Sequence, residues 1–340
     1  MLRYLTAGES HGEYLAGILE GFPAGVAVTR ACIAKALARR RLAPGRSPRQ
    51  GRENDEFAIA SGMSGGRTTG APITLLIKTV SRETPRFSSL PRPGHADLAG
   101  MLKYGISDAS LVRERASARE TAMRVALGSF ALRLNELLGI KILSRVTSLG
   151  GLHAITPKTA AAEIARARRS GDTLGGVFEL SIFNAPAGLG GFSQSGRRLG
   201  ARLAAALFGI NGVKGFETGG GFALAAAGGL EAAKDPELSG GLDGGMTNGR
   251  TIKLRCAVKP VPGLPGGVLS TDLRDMRKKL SVSNTSDTTA VFAAAVIGEH
   301  VAALELAAAA LEKFGGDSLA ELLPRVKQWR AKTGRLLPCG

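Results

Sequence analysis

Cysteine and aromatic residues are scarce in this chain of 340 residues. The three cysteines, Cys32, Cys256 and Cys339, lie far apart and form no Cys-x-x-Cys pair. We therefore expect no disulfide framework, no zinc site or other metal site, and a reducing, cytoplasmic location. Aromatic residues supply 5% of the chain although hydrophobic residues supply 44%, so alanine, leucine and valine carry most of the apolar content.

Long apolar runs are also missing. No stretch approaches the ~18 apolar residues of a membrane span. The N-terminal sequence MLRYLTAGESHGEYL lacks the basic and then apolar pattern of a secretory leader. The chain is nevertheless too apolar to be disordered. At a working size of ~150 residues per domain, its length allows two domains or one large domain, and we expect a globular protein with no membrane partner.

Acidic residues are outnumbered: 28 Asp and Glu stand against 45 Lys and Arg, which gives a formal net charge of +17. Such an excess is compatible with binding to nucleic acid, to an anionic membrane surface or to small anionic ligands. The stretch from Arg30 to Arg52 is strongly basic and contains no acidic and no aromatic residue. Because proteins that bind single strands usually interleave aromatic residues with positive charge, the pattern favours phosphates or carboxylates on small molecules. A basic nucleic-acid-binding protein is the remote alternative.

Glycine is abundant, at 47 of 340 residues, which is roughly twice its usual ~7% share. Glycine clusters separate strand-like from helix-like stretches, and no linker rich in proline and serine divides the chain. This order predicts an α+β fold in a single domain over residues 1–340, with a frayed tail at 335–340. The predicted strands cover residues 15–20, 25–28, 72–80, 140–146, 176–183, 222–226 and 251–258.

Four stretches have the apolar periodicity of helices. Thr29 can cap a helix that continues to about Arg41. Ser117 and Glu120 have the S-x-x-E spacing of a capping box, ahead of a helix that stops at Gly139. An alanine-rich helix is predicted over about 288–313 and a last helix over about 319–332. High alanine content suits close packing of helices next to sheets.

Two of the four histidines lie in loops rich in glycine and polar residues. His11 belongs to GESHG at residues 8–12, and His95 belongs to PRPGHAD at residues 91–97. A histidine held in such a loop near cations can act as an acid or a base near neutral pH. An exposed turn is the alternative interpretation for either loop. His153 and His300 are predicted to be structural.

Three arginines, Arg113, Arg115 and Arg119, surround the predicted start of a capped helix. Free N–H groups at a helix N-terminus favour an anion by up to ~1 kcal/mol, and each bidentate arginine contact adds ~1.5–3 kcal/mol. We predict an anion site there, with ordinary solvated charges as the alternative. The glycine-rich segments 219–221 and 240–249 match no nucleotide-binding spacing. They are compatible with plain turns or with close approach of the backbone to a ligand.

Taken in order along the chain, these motifs resemble those of the chorismate synthase family. The resemblance runs essentially from end to end, and the ordered set is far more specific than any one motif. The matching segments are GESHG at 8–12, EGFP at 20–23, RPGHAD at 92–97, GMLKYG at 100–105, ERASARET at 114–121, GGMTNG at 244–249 and LEKFGGDSLAE at 311–321.

The resemblance implies a fold, a reaction and a cofactor. Family members are homotetramers with a β-α-β sandwich, in which helices pack between antiparallel sheets. They convert 5-enolpyruvylshikimate 3-phosphate to chorismate, the last step of the shikimate pathway, by 1,4-anti elimination of phosphate and a C6 hydrogen. Reduced FMN is required without net redox change, because an electron-rich flavin can stabilise the centre that phosphate departure leaves electron-deficient. The substrate's phosphate and two carboxylates suit a pocket rich in arginine.

The resemblance also implies roles for individual residues of this chain. The catalytic positions are His11, His95 and Asp287. The positions that hold the anionic groups of the substrate are Ser10, Arg46, Arg49, Arg92 and Arg119. The positions that contact the flavin are Arg115, Ala116, Ser117, Asn211 (usually Gln in the family), Gly244 and Lys259, while Arg40 matches a position assigned to a pyridine nucleotide.

Three departures from the family pattern concern the flavin. Thr285 stands where the family has arginine, residues 261–263 (VPG) replace the usual hydroxyl residues after Lys259, and the segment 221–240 is shorter than usual. Loss of one charge-assisted contact costs ~1.5–3 kcal/mol, or roughly ten- to a hundredfold in affinity. The alternative within the family is therefore a degenerate paralogue with weakened FMN binding. Nothing resembles an added reductase domain, so NADPH is expected to act only indirectly, through external reduction of the flavin.

Overall fold

Two antiparallel sheets enclose the interior of the protein, whose computed structural model describes residues 1–47, 53–80, 84–283 and 287–335. The N-terminal sheet has the strand order β1-β2-β6-β3, and a short β4-β5 hairpin connects β3 to β6. The bounds are β1 (Arg3–Gly8), β2 (Tyr14–Glu20), β3 (Phe57–Ser61), β4 (Met63–Ser64), β5 (Arg67–Thr68) and β6 (Ile73–Lys78).

The second sheet has the strand order β10-β13-β9-β7-β8, and two further hairpins, β11-β12 and β14-β15, lie outside it. Along β13, the side chains of Ile252, Leu254 and Cys256 are buried at every second position, as expected for a strand with one face on the core. The bounds are β7 (Lys141–Leu149), β8 (Leu152–His153), β9 (Gly176–Phe183), β10 (Val213–Thr218), β11 (Leu242–Asp243), β12 (Met246–Thr247), β13 (Ile252–Val258), β14 (Val268–Thr271) and β15 (Lys278–Ser281).

The helices of the described residues lie between and around the sheets. The first begins where the sequence predicts, since the Thr29 side chain accepts a hydrogen bond from the Cys32 amide at 3.2 Å. The bounds are α1 (Arg30–Arg41), α2 (Asp97–Tyr104), α3 (Ala109–Ala116), α4 (Thr121–Leu137), α5 (Pro157–Arg169), α6 (Leu199–Phe208), α7 (Gly229–Lys234), α8 (Val291–Phe314) and α9 (Leu319–Thr333).

Helices α4 and α8 fill the space between the sheets. Helix α4 packs on β2 and β6, α8 packs on β7 and β9, and the two helices pack against each other. Glycines allow these close approaches: a methyl group on Gly17 would lie 2.4 Å from Met123, and one on Gly128 would lie 2.6 Å from His300. The predicted α+β fold, with helices between antiparallel sheets, is confirmed.

Three local predictions are wrong. Residues 25–28 form no strand because Gly25 has a φ of +86°, and Ala27 makes an isolated bridge to Arg67. The segment Gly221–Ala226 is a 3-10 helix, since its small alanines have low strand propensity. Ser117 caps the 3-10 helix Ala118–Glu120, and α4 begins only after it, without a side-chain cap.

Helix α8 is long and apolar enough to cross a membrane, contrary to the expectation that no stretch would be. Its most apolar window is 89% buried inside the protein. The apolar side chains of this helix therefore face other elements of the same chain, as in the core helix of a globular protein.

Candidate active site

The last turn of α3 and the residues that follow it, residues 113–119, contact residues from four separate parts of the chain. We call this stretch the junction segment. Ser117 in this segment has an extended backbone, and its side chain accepts a hydrogen bond from the Arg119 amide at 3.3 Å. The junction segment therefore turns sharply after α3, and its side chains reach in different directions. The partners of these side chains include the predicted site residues Ser10 and His11, and the carbonyl of Ala116 accepts a hydrogen bond from the predicted residue Asn211.

His11 is held by Glu114 of the junction segment. Its ring Nδ1 lies 2.7 Å from Glu114 Oε1, and its backbone N–H donates to Glu114 Oε2 at 2.7 Å. Beside it, the Ser10 amide donates to the Glu114 carbonyl at 3.1 Å, and Ser117 Oγ donates to Ser10 Oγ at 3.2 Å. The predicted residues Ser10, His11 and Ser117 therefore belong to one cluster.

His95 and Arg92 share a second carboxylate, that of Asp97 at the start of α2. His95 Nδ1 lies 2.5 Å from Asp97 Oδ1, and the Arg92 amide and Nε donate to Asp97 Oδ2 at 2.9 and 3.1 Å. Arg113 Nε of the junction segment donates to the same oxygen at 2.8 Å. Burial alone raises the pKa of the Asp97 carboxyl, but the hydrogen bonds from His95 and Arg92 lower it far below its usual range. Asp97 is thus an anion that fixes two predicted site residues.

Arg119 and Arg40 lie in a buried ionic cluster beneath the junction segment. Arg119 pairs with Asp55 and, at 3.2 Å, with Glu53, while Arg40 Nη2 lies 3.4 Å from Asp55 Oδ2. Burial, with repulsion from Arg46 and Arg119, lowers the pKa of Arg40 to about 10, against the attraction of Asp55. Arg40 is 1% exposed and Arg119 is 4% exposed, so both guanidinium groups are committed to protein carboxylates.

Arg46 and Asp287 form a neighbouring ion pair. Arg46 Nη1 donates to Asp287 Oδ2 at 2.5 Å, and the Ser47 amide donates to Asp287 Oδ1 at 2.7 Å. The field of Arg46 acts on Arg40, which places this pair near the buried cluster. Arg49, also predicted to hold substrate, lies outside the described residues.

Two predicted flavin contacts border the same region. Asn211 Nδ2 donates to the carbonyl of Ala116 at 3.0 Å, and the buried Asn211 Oδ1 has no hydrogen-bond partner among the described residues. Lys259 Nζ donates to the carbonyl of Gly94, next to His95. Burial, and then repulsion from Lys214, lower the pKa of Lys259. Its positive charge is therefore poorly compensated, and an anion beside it would be stabilised.

The predicted anion site at a helix N-terminus needs correction. Arg113 and Arg115 lie in the last turn of α3, where arginine is favourable without any ligand. Arg115 donates to the carbonyls of Gly8 and Thr6 at 2.9 and 2.8 Å. These two arginines therefore anchor β1 and the His95 loop to the junction segment.

Gly244 lies apart from these contacts, in the turn of the β11-β12 hairpin. That hairpin bridges Gly190 through Met246, and Gly245 lies against Arg198. Gly244 itself has a φ of +58°, and a methyl group added to its Cα would meet no described atom within 4 Å. Its contacts give no link between this hairpin and the junction segment.

Of the three departures from the family pattern, two fall on residues that the structure describes. Thr285 lies outside the described residues. The carbonyl of Val261 accepts a hydrogen bond from Thr173 Oγ1 at 2.8 Å, so it anchors the segment 261–263 to the loop between α5 and β9. The short segment 221–240 consists of a 3-10 helix, α7 and turns.

The carboxylates of the site were missed in the sequence. Glu114 and Asp97 lie inside motifs that were recognised, and Asp55 and Glu53 border the basic stretch, but none was assigned a role. The signal that could have found them is charge balance, because a site with this many arginines requires acids to hold them in place. Among the described residues, no group of three or more His, Cys, Asp or Glu side chains could hold a metal ion.

The fold and the site together define a class of protein. Two histidines are each held through Nδ1 by a carboxylate, and arginines and a lysine surround them. This combination suits acid–base chemistry on a small anionic substrate.

Comparison with known proteins gives the family. Residues 2–311 match the family model described as chorismate synthase. Chorismate synthases of Desulforudis audaxviator and Desulforamulus reducens are 44% and 42% identical, and the alignments cover 97% of this chain and 97% and 98% of those proteins. A crystal structure of chorismate synthase matches with a TM-score of 0.78 at 32% identity, over 97% of this chain and 98% of that one. The chain belongs to the chorismate synthase family, and it is an enzyme of the carbon–oxygen lyase class.

The alignments also bear on chain length. The alignment with the Desulforudis protein spans 379 residues, which is more than the 340 residues of this chain. The relative therefore contains residues that have no counterpart here.

Proposed function

We propose that this enzyme converts 5-enolpyruvylshikimate 3-phosphate to chorismate by 1,4-anti elimination of phosphate and the C6 proton, with reduced FMN as its cofactor. The observation that carries the proposal is the junction segment. It brings both predicted catalytic histidines, with their carboxylates, into one network with the predicted arginines. The family assignment supplies the reaction.

The cations of the site would hold the anionic groups of the substrate. Arg92 and Arg46 keep part of their side chains exposed, 23% and 8% respectively. Both are held in place by carboxylates, Asp97 and Asp287, so little side-chain entropy is lost when they bind a phosphate or carboxylate. Arg119 is buried against Asp55 and Glu53, so it would act on the substrate only through its electrostatic field.

His11 and His95 would manage the protons of the reaction. Each ring has a carboxylate at Nδ1, so Nδ1 carries a hydrogen. Nε2 of His11 can hold or release a proton, while Nε2 of His95 lies 3.1 Å from Arg92 Nη2. His11 would protonate the departing phosphate or keep the flavin in its required protonation state, and His95 would act as a second acid. Asp287 would assist in removing the C6 proton.

The residues present fit a flavin mononucleotide. Lys259, whose charge lacks compensation, suits the flavin phosphate, and the unpartnered Asn211 Oδ1 is an acceptor for a ring N–H. Arg115, Ala116 and Ser117 of the junction segment border the same region. When bound, reduced flavin supplies electron density to the carbon from which phosphate departs.

We propose that FMN binds more weakly to this enzyme than to relatives that carry arginine at position 285. A Thr285→Arg variant should bind FMN roughly ten- to a hundredfold more tightly in the presence of substrate, by one added charge-assisted contact. Flavin titration measures this, with Thr285→Leu as a control for side-chain size without charge. Equal affinity of the Thr285→Arg variant and the unmodified enzyme would contradict the proposal.

We further propose a cytoplasmic homotetramer. Cys32 and Cys256 are free thiols, as suits a reducing compartment. On the outer face of the N-terminal sheet, Leu5 and Ile18 form a directly paired apolar patch, 71% and 43% exposed. Light scattering coupled to size-exclusion chromatography should give a mass of four chains, and a monomer mass would reject the assembly.

The test of the proposed function is turnover under anaerobic conditions. Enolpyruvylshikimate phosphate and reduced FMN should give phosphate and chorismate with the unmodified enzyme. His11→Asn should lose about 10²–10⁴-fold in kcat, as expected for a general acid–base residue, whereas His153→Asn, an exposed histidine outside the site, should keep full activity. Absence of phosphate release from the unmodified enzyme would overturn the proposal.

A further inference from the structure

We propose that Glu114 is the positioning residue of His11: it fixes the tautomer and orientation of the ring so that Nε2 faces the substrate. The proposal rests on the proposed function, and it assigns to this reaction a residue that acts through the ring of His11.

Glu114 binds His11 at two points with one carboxylate. Oε1 lies 2.7 Å from ring Nδ1, and Oε2 accepts the backbone N–H of His11 at 2.7 Å. The carbonyl of Glu114 accepts the Ser10 amide at 3.1 Å. The loop and the ring are therefore tied to the same residue of α3, and neither can rotate without breaking a charge-assisted bond.

The surroundings strengthen these contacts. Glu114 is 7% exposed and the His11 side chain is 23% exposed, so water competes poorly with the carboxylate for the ring. Since a carboxylate only accepts, the hydrogen of the neutral imidazole must lie on Nδ1, and the lone pair must lie on Nε2. A carboxylate in this position also stabilises the imidazolium that forms when Nε2 takes up a proton.

The neighbouring residue extends the arrangement to the second histidine. Arg113 precedes Glu114 in α3 and donates to Asp97, the carboxylate that holds His95. Successive residues of one helix turn thus anchor both histidine–carboxylate pairs. A shift of α3 would disturb both rings together.

Glu120 offers a matched control for Glu114. It is a glutamate six positions along the chain, 6% exposed and ion-paired with Arg124 at 2.9 Å, with no contact to a described histidine. Glu114→Gln and Glu120→Gln both remove one buried negative charge and preserve side-chain shape. Only the first removes the carboxylate from His11.

The experiment combines steady-state kinetics with nitrogen NMR of the histidine rings. The chain contains four histidines, so the His11 ring signals can be assigned by their absence in His11→Asn. In Glu114→Gln we expect kcat to fall about 10- to 100-fold with little change in KM, as when other orienting carboxylates are removed. We also expect the single Nδ1–H tautomer of His11 to give way to a mixture.

Glu120→Gln should retain the kcat and the His11 tautomer of the unmodified enzyme. The proposal is overturned if Glu114→Gln keeps the single tautomer. It is also overturned if both variants show the same decrease in kcat and the same change in KM. Thermal unfolding of both variants identifies a loss that is only structural. If the enzyme does not turn over enolpyruvylshikimate phosphate but the tautomer still depends on Glu114, the positioning role stands and the proposed function fails.

Discussion

At the scale of single residues, the carboxylate of Asp97 holds the most varied set of partners described above. It accepts hydrogen bonds from His95, Arg92 and Arg113 while being 0% exposed. A buried charge that is satisfied in this way is costly to remove, because its cationic partners are then left without compensation.

We therefore predict that Asp97→Asn lowers the free energy of unfolding by about 3–5 kcal/mol at pH 7. Because the folded-state pKa of Asp97 lies below the unfolded value of 3.8, its contribution is present above about pH 4 and is lost as the pH falls further. Urea denaturation at pH 7 and pH 3 should show a gap between variant and unmodified protein that narrows at the lower pH.

Glu136→Gln serves as the control for Asp97→Asn. It breaks an exposed ion pair with Arg133, and such surface pairs contribute about 0–1 kcal/mol. If the two substitutions lowered the free energy of unfolding equally, Asp97 would contribute no more to stability than an exposed surface charge does.

Single residues also show which parts of the candidate site could not be predicted from the sequence. The loops of His11 and His95 could be predicted as candidate sites because their residue types and glycine content are local properties. Glu114 could not, since its partner His11 lies 103 positions away and only the tertiary fold brings them together. Arg40 and Arg119 were predicted as binding residues, but their burial against Asp55 depends on contacts that no local pattern records.

At the scale of elements, α8 combines membrane-like apolarity with a buried histidine. His300 is 0% exposed; its Nδ1 lies 2.7 Å from the carbonyl of Val296, and Nε2 has no hydrogen-bond partner among the described residues. Burial lowers the pKa of His300 from 6.5 to about 4. The helix therefore packs best when this ring is neutral.

This predicts an acid-sensitive core. The unfolded chain takes up a proton on His300 below pH 6.5, while the folded protein does so only near pH 4. Its neutral form thus stabilises the fold fully above pH 6.5, and this stabilisation is lost as the pH falls toward 4. Between pH 6.5 and 4.5, the free energy of unfolding of His300→Gln should fall less than that of the unmodified protein, by up to about 3 kcal/mol.

His153→Gln is the control, since this histidine is exposed at the end of β8. Its pH dependence should match that of the unmodified protein. If His300→Gln keeps the original pH slope, the acid sensitivity has another source.

Several helices and strands with a clear apolar periodicity were predicted well. Segments whose structure depends on backbone conformation were predicted poorly. The strand 176–183 was found with its observed bounds, and α1 with its Thr29 cap. The segment 222–226 was misassigned because its apolar residues look like a short strand, although Phe222 is 81% exposed and faces no sheet. Helices α2, α3, α5, α6 and α7 were not predicted. Helices α2 and α3 are each eight residues long, too short for a clear period.

At the scale of the whole molecule, part of the basic content behind the net charge of +17 lies in the candidate site. The basic residues around the junction segment are held by Asp97, Asp287, Asp55 and Glu53 in fixed positions. An array of immobilised cations suits a small polyanion better than a flexible polymer. The chain order of the motifs predicted this family, and the comparisons confirmed it.

The enzyme should depend on flavin that is reduced elsewhere. This prediction rests on the proposed function and on the expectation from the sequence that NADPH acts only indirectly. Aerobic mixtures of substrate, oxidised FMN and NADPH should give no chorismate, and a separate flavin reductase should restore the reaction. Turnover without the added reductase would show that this chain reduces its own flavin.

Elimination without net oxidation of the flavin is tested most directly by the stoichiometry of an anaerobic reaction. Substrate is supplied in excess over reduced FMN and enzyme, and phosphate, chorismate and the flavin spectrum are followed together. We predict equal amounts of phosphate and chorismate, many times the amount of flavin, with the flavin still reduced at the end. Phosphate release that stops at one equivalent per flavin, with the flavin oxidised, would contradict this mechanism.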